Sequence, residues 1–256
     1  MQEGCDMKRV KLVVAYDGTN YSGWQIQPNA VTIEEKLNEA IKSLTGENVK
    51  VTGASRTDAG VHSLGNVCIF DTMTRMPAEK ISFALNQRLP EDIVVQESCE
   101  ISMDFHPRFS KSRKTYEYRI LNRKFPMPTR RLDTYFFHYP LDVGKMAEAA
   151  SYLEGEHDFK SFCSANSQAE TTVRTIYKCI VKKEEDIITI RVTGNGFLYN
   201  MVRIIAGTLV KVGCGDIAPE QIPQILSACD RAAAGPTAPA HGLTMIGLCY
   251  EEKWDL

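Results

Sequence analysis

Between Gly53 and His62 the chain reads Gly-Ala-Ser-Arg-Thr-Asp-Ala-Gly-Val-His, which places one carboxylate, Asp58, between a cation, Arg56, and a glycine, Gly60. The glycine lets the backbone turn tightly and approach a ligand closely. Arg56 favours the ionised form of the acid where geometry brings the two together. A carboxylate kept ionised in a cleft can act as a nucleophile, a general base or a metal ligand. The same string also reads as a turn with a surface ion pair, so the rest of the chain has to decide.

A second concentration of chemistry lies further on. From His106 to Arg131 there are nine cations (Arg108, Lys111, Arg113, Lys114, Arg119, Arg123, Lys124, Arg130 and Arg131) against one anion, Glu117. The whole chain carries a net charge of only −2, so this is a local excess rather than a general one. Phe105, Phe109, Tyr116, Tyr118 and Phe125 are interleaved with the cations. Cations for phosphates and rings for bases together make a nucleic-acid surface; a solvated charged face is the competing reading.

Both features need elements to hold them. Val10–Tyr16 is an apolar run that suits a buried strand. Thr32 and Glu35 form a capping-box pattern ahead of Ile33, Leu37, Ala40, Ile41 and Leu44 at helical spacing, and Gly46 closes that helix. Strands are expected over Val49–Ala54, Asn66–Asp71 and Ile93–Glu97, with a second helix opened by Pro77 and carrying Ile81, Ala84 and Leu85. The order is β-α-β-β-α-β, the ferredoxin-like unit.

The second half repeats it. Thr115–Leu121, with a continuation at Thr134–Tyr139, is followed by a helix over Val143–Leu153. A hairpin of Val173–Val181 and Asp186–Val192 comes next, joined across Lys182–Glu185. An apolar helix begins at Leu198, a further helix covers Pro219–Ala228, and Met245–Tyr250 is the closing strand. The expectation is an α+β protein of two ferredoxin-like (βαββαβ) lobes sharing a mostly antiparallel sheet, with helices on one side and a central RNA-binding cleft. Residues 1–7 are expected as a flexible tail, 8–105 as the lobe with the Asp58 motif, and 106–256 as the lobe with the basic stretch.

At 256 residues the chain is long enough for a substantial core. The N-terminal residues are acidic with no apolar run behind them, unlike a secretory signal, and no apolar run approaches a membrane span. The eight cysteines contain no C-x-x-C pair, so they read as reduced thiols of a cytosolic chain rather than disulfides or a zinc site. No Rossmann or P-loop glycine string is present.

Seven strings together resemble one family, the TruA-type tRNA pseudouridine synthases. They are Tyr16–Gln25 (YDGTNYSGWQ), Ser55–His62 (SRTDAGVH), Phe105–Ser110 (FHPRFS), Lys114–Arg119 (KTYEYR), Asp158–Phe162 (DFKSF), Gly194–Arg203 (GNGFLYNMVR) and Gly235–Leu243 (GPTAPAHGL). They run in order over nearly the whole chain. The resemblance implies two ferredoxin-like lobes, a homodimer, and isomerisation of uridine to pseudouridine at positions 38–40 of the tRNA anticodon arm. It places the essential aspartate on Asp58, the arginine of the same motif on Arg56, the active-site tyrosine on Tyr116, and the arginine that pairs with the aspartate on Arg203. Ser55 stands where many relatives have Gly, Glu34 where they have Gln, and Thr244 and Met245 where they have an aromatic and a leucine; none of these touches the implied chemistry.

The implied reaction is redox-neutral and needs no cofactor or small-molecule cosubstrate, which agrees with the missing glycine strings, and the residues suit it. An anionic carboxylate can trap positive charge at a sugar carbon as the base departs, and a flipped nucleotide needs side chains that hold it out of the stack. Arg56 is the candidate for holding it and Tyr116 for stacking on the base. Arg108, Arg113, Lys114 and Asn195 are further candidate substrate contacts. Arg203 lies on an apolar helix where an unpaired charge is costly, although an arginine whose head snorkels to water fits the same position. Tyr21 and Trp24 read as core aromatics or RNA contacts. Two rival functions are a non-catalytic RNA-binding module and a thiol hydrolase built from Cys163, His157 and Asp158. A zinc-dependent base-modifying enzyme lacks its H-x-E and P-C-x-x-C strings.

Overall fold

The computed structural model of the chain describes residues 7–165 and 169–250; of the expected tail at 1–7, residues 1–6 lie outside them. The chain divides into two compact units, one running through Lys111 and taking in Tyr250, the other covering Ser112–Cys249.

In the first unit β1 (Lys8–Tyr16) buries Val10, Leu12, Val14 and Tyr16 and leaves the residues between them half-buried, the period of two of a strand covered on one face. α1 (Ile33–Thr45) begins where the Thr32 hydroxyl accepts the Glu35 backbone N–H at 3.3 Å, and ends at Gly46 in the left-handed region. β2 is only Thr52–Gly53. The longer strand expected at Val49–Ala54 fails to form because the Val51 N–H is taken by the Asn38 side chain of α1 at 2.9 Å. β3 (His62–Thr72), α2 (Ala78–Asn86) and β4 (Ile93–Ile101) complete the expected β-α-β-β-α-β order. β1 lies antiparallel between β3 and β4. Residues of α1 and α2 share one core with Val10, Leu12, Val14 and Phe70, so both helices cover the same sheet face.

The second unit carries the same order with additions. β5 (Ser112–Asn122) is joined in parallel by β6 (Tyr135–Phe137), so the continuation expected at Thr134–Tyr139 is a separate short strand. α3 (Val143–Ser151) is followed by β7 (Gly155–Asp158), which its Gly-Glu-His-Asp sequence gives little reason to expect. β8 (Val173–Glu184) and β9 (Ile187–Gly194) turn in two residues rather than the expected four, because Glu185 adopts a left-handed φ of 52°. α4 (Met201–Cys214) starts three residues later than the apolar pattern, since Asn200 is left-handed at its entrance. The helix expected at Pro219–Ala228 is a 3-10 turn over Pro219–Gln221 leading into α5 (Ile222–Ala228). With β10 (Leu243–Tyr250) the strands run in the order β10-β5-β9-β8-β7. Among the described residues no helix is long and apolar enough to cross a membrane.

Candidate active site

The Asp58 loop lies between β2 and β3 and is fixed mainly through its backbone. Trp24 N–H donates to Thr57 O at 3.0 Å, Gly60 N–H to Tyr21 O at 3.2 Å, and Val61 N–H to Asp58 O at 3.1 Å, closing a turn at Gly60 with φ 77°. Within the loop Ser55 and Thr57 are buried, Asp58 is half-buried, and Arg56 and Ala59 are exposed. Thr57 is held by Tyr16, the two hydroxyls 2.8 Å apart, and Asn66 clasps Ser55 through its backbone N–H and carbonyl at 3.3 and 3.0 Å. Alternation between buried anchors and outward groups is what presents Arg56 and Asp58.

The Asp17–Trp24 segment forms the wall behind this loop. A side chain on Gly18 would have its Cβ 2.1 Å from Val61 O, so the backbones meet there without room for one. Gly18 N–H also donates to His62 Nδ1 at 3.1 Å, and Asp17 Oδ1 lies 3.1 Å from that nitrogen. Burial raises the Asp17 carboxyl, but its two bonds from Thr19 and the neighbouring His62 outweigh this and hold it below the usual carboxylate range. Tyr21 and Trp24 are core residues, 7% and 2% exposed, and Trp24 lies over Gly53, where a Cβ would meet its ring at 2.5 Å.

In the second unit Tyr116, on β5, is buried and meets Phe197 edge-on at 5.1 Å between ring centroids. Arg203 is in the first turn of α4. Its Nε donates to Ala238 O at 2.8 Å, one terminal nitrogen donates to Asn200 Oδ1 at 2.7 Å, and Ala238 N–H returns a bond to Arg203 O at 3.1 Å. The segment Gly235–Ala238 is thereby strapped along α4. Its other end is held where Gly235 N–H donates to Thr208 Oγ1 at 2.9 Å, and Pro236 O lies where a Gly207 Cβ would be, 1.8 Å away. Asn195 is clasped to Thr175 by two bonds, 3.1 Å from its backbone N–H and 3.0 Å to its side-chain oxygen. The sequence reading passes over Ser164 and assigns no role to Asn200, although Asn200 stands within one of the motif strings. An asparagine just before a helix reads as an ordinary N-cap.

The basic stretch is partly neutralised. Glu117, 4% exposed, is bonded by Arg119 at 2.8 Å and Arg191 at 2.7 Å. Burial pushes its carboxyl up, but the Arg191 and Arg119 bonds outweigh that and keep it below the usual range. Arg123 pairs with Asp186 at 3.2 Å and Arg130 with Asp133 at 2.9 Å. Arg113 lies 4.7 Å from the Tyr177 ring centroid, and Lys114 pairs in register with Gly194 of β9. Arg108 belongs to the first unit. There His106 O accepts from Phe109 and Ser110, and the Phe109 ring, 80% exposed, stacks on His106 at 4.2 Å. That turn is anchored by Arg9, which donates to Phe105 O at 3.0 Å, and by the Tyr250 hydroxyl, which donates to Pro107 O at 2.9 Å.

The thiol-hydrolase constellation is not assembled. His157 Nε2 is within 2.9 Å of Glu154 O, Asp158 accepts from Lys160 N–H at 3.0 Å, and Cys163 Sγ points to Ser164 O. Among the described residues no group of His, Cys, Asp and Glu is placed to hold a metal ion.

Comparison with known proteins agrees with these motifs. The profile of the tRNA pseudouridine synthase family matches residues 12–110 and 149–251. A tRNA pseudouridine synthase A of Thermoanaerobacter sp. (strain X514) is 52% identical over 244 residues, 95% of this chain and 100% of that one. The protein of the same description from Acetivibrio thermocellus is 50% identical over the same coverage. A solved archaeal box H/ACA sRNP Nop10-Cbf5 complex is a distant likeness, with a TM-score of 0.36 and 12% identity over 78% of this chain and 44% of that one. Matched along nearly its whole length by full-length relatives, the chain belongs to the tRNA pseudouridine synthase family.

Proposed function

We propose that this protein converts uridine to pseudouridine in tRNA, at positions 38–40 of the anticodon arm, with Asp58 as the nucleophile. The observation that carries this reading is the 52% identity over 95% of the chain to a protein described as tRNA pseudouridine synthase A. The Asp58 loop geometry supports it.

In the reaction the C1′–N1 bond breaks, the base turns, and C1′ bonds to C5 instead. The C5 proton leaves to solvent and N1 takes one up, so substrate and product are isomers and no oxidant or cosubstrate is consumed. Asp58, presented by a backbone-braced loop, supplies the anion that lets the glycosidic bond part. Arg56, exposed two residues earlier, holds the flipped nucleotide out of its stack. Tyr116 lies against the base, and Arg203 supplies positive charge for the aspartate. Arg108, Arg113, Lys114 and Asn195 contact the RNA, with the cations meeting phosphates. The same reading carries a homodimer working in the cytosol without metal or cofactor.

The test is pseudouridine mapping on an unmodified tRNA transcript with uridines at 38, 39 and 40, comparing wild type with Asp58→Asn. Product from the wild type alone, at those positions, is the expected result. If neither protein makes product while both bind the tRNA, the reading at positions 38–40 falls, leaving a non-catalytic RNA-binding module or a related pseudouridine synthase that acts on another RNA.

A further inference from the structure

We infer that Asn200 is a positioning residue that aims the Arg203 guanidinium; the inference rests on the reading above, in which Arg203 serves the reaction. A residue at the entrance of a helix ordinarily has extended backbone and lends its side chain to an N–H of the first turn. Asn200 does neither. Its φ and ψ are 61° and 7°, in the left-handed region, and its side chain makes no capping bond. Asparagine is among the few residues with a Cβ that tolerate this conformation, and sparsely populated backbone of this kind gathers at functional sites.

The left-handed backbone frees the amide to bridge two other groups. Its Oδ1 accepts from Arg203 at 2.7 Å while its Nδ2 donates to Ser164 Oγ at 2.9 Å. Ser164 is fixed in turn, its backbone N–H donating to Tyr199 O at 3.1 Å. The guanidinium therefore has two grips on different nitrogens, Asn200 Oδ1 and Ala238 O, and two such bonds set the direction of a planar group. Both acceptors are neutral. These two bonds therefore orient the guanidinium without themselves neutralising it.

Asn200→Gly tests this, because glycine keeps the left-handed backbone at no steric cost and removes only the bridge. The expected result is a kcat at least ten-fold lower with KM within two-fold. The melting temperature should hold or rise, and the Arg203 Nε–H resonance, assigned by its loss in Arg203→Gln, should shift. A purely structural Asn200 would instead lower the melting temperature, with activity falling only in step. That result, or an unmoved resonance, or a kcat within two-fold of wild type, overturns the inference. If Arg203→Gln itself turns over normally, the catalytic reading of Arg203 fails, and the resonance alone then decides whether Asn200 holds it.

Discussion

Gly18→Ala should disable the enzyme from a position outside the loop that carries Asp58. The added Cβ would fall 2.1 Å from Val61 O and 2.6 Å from Val61 C. Reaching even 3.0 Å from that oxygen requires the two backbones to part by 0.9 Å. Val61 donates to Asp58 O, so the displacement is passed directly to the loop that presents the nucleophile. A misplacement of about 1 Å costs on the order of 100-fold in rate. Stability falls less. Overpacking costs about 1–3 kcal/mol, loss of the Gly18–His62 bond about 1 kcal/mol, and the stiffer unfolded chain returns about 0.4–1 kcal/mol. A net loss of about 1–3 kcal/mol corresponds to a melting point lower by roughly 2–10 °C. The rate is read by tritium release from tRNA carrying 5-tritiated uridine, since C5 loses its hydrogen when the new bond forms. Gly247→Ala, where nothing lies within 4 Å of an added Cβ, is the control and should be near neutral. A Gly18→Ala protein that melts with wild type and turns over at half its rate or better would refute the proposed coupling between the two loops.

Two further outcomes concern the charges. Arg108→Ala should reduce the slope of log affinity for tRNA against log salt by about 0.7–0.9, one phosphate contact. Arg123→Ala, which removes a group already paired with Asp186, should leave it nearly unchanged; equal slopes for the two variants in filter-binding titrations would refute the distinction between a paired and a phosphate-contacting arginine. Glu117→Gln should lower stability by about 2 kcal/mol near neutral pH, since hydrogen bonds to charged groups are worth about 1.5–3 kcal/mol. The Glu117 carboxyl is depressed in the folded protein, so its contribution is present above the unfolded value of about 4.3 and is lost as pH falls through the lower folded value. Urea melts at pH 7 and pH 3 should therefore show the gap between wild type and Glu117→Gln closing at the acid end, and a constant gap would count against the ion-pair account.

Much of the fold is legible because its signals are local. Thr32, Gly46 and the spacing of Ile33, Leu37 and Ile41 mark a helix that forms where expected, and the apolar run Val10–Tyr16 marks a strand, although only its alternate residues prove fully buried. The departures come from partners distant in sequence. Asn38 takes the donor that would have extended β2, and the brief pairing of β6 with β5 depends on a register no local pattern contains. Counting charges between His106 and Arg131 overstates the available cation surface, because Asp133 and Asp186 lie outside that window and neutralise members within it. The motif around Asp58 announces itself by residue type, whereas the role of Asn200 depends on a backbone angle. Its letter alone carries no trace of it.

The strap along α4 has a consequence for anyone engineering this enzyme. Replacing a mid-helix glycine by alanine is a routine stabilisation, worth roughly 1 kcal/mol in an exposed helix, and Gly207 is an obvious target. Here the rule inverts, because Pro236 O occupies the space an alanine methyl would take. The obstacle cannot be relieved from the other side either: Gly235 faces the Thr208 backbone at 2.7 Å from where its own Cβ would lie. Main chain meets main chain at both places, so no second substitution makes room. The two glycines, 28 positions apart in the numbering, form one joint that closes this face of the helix to sequence drift.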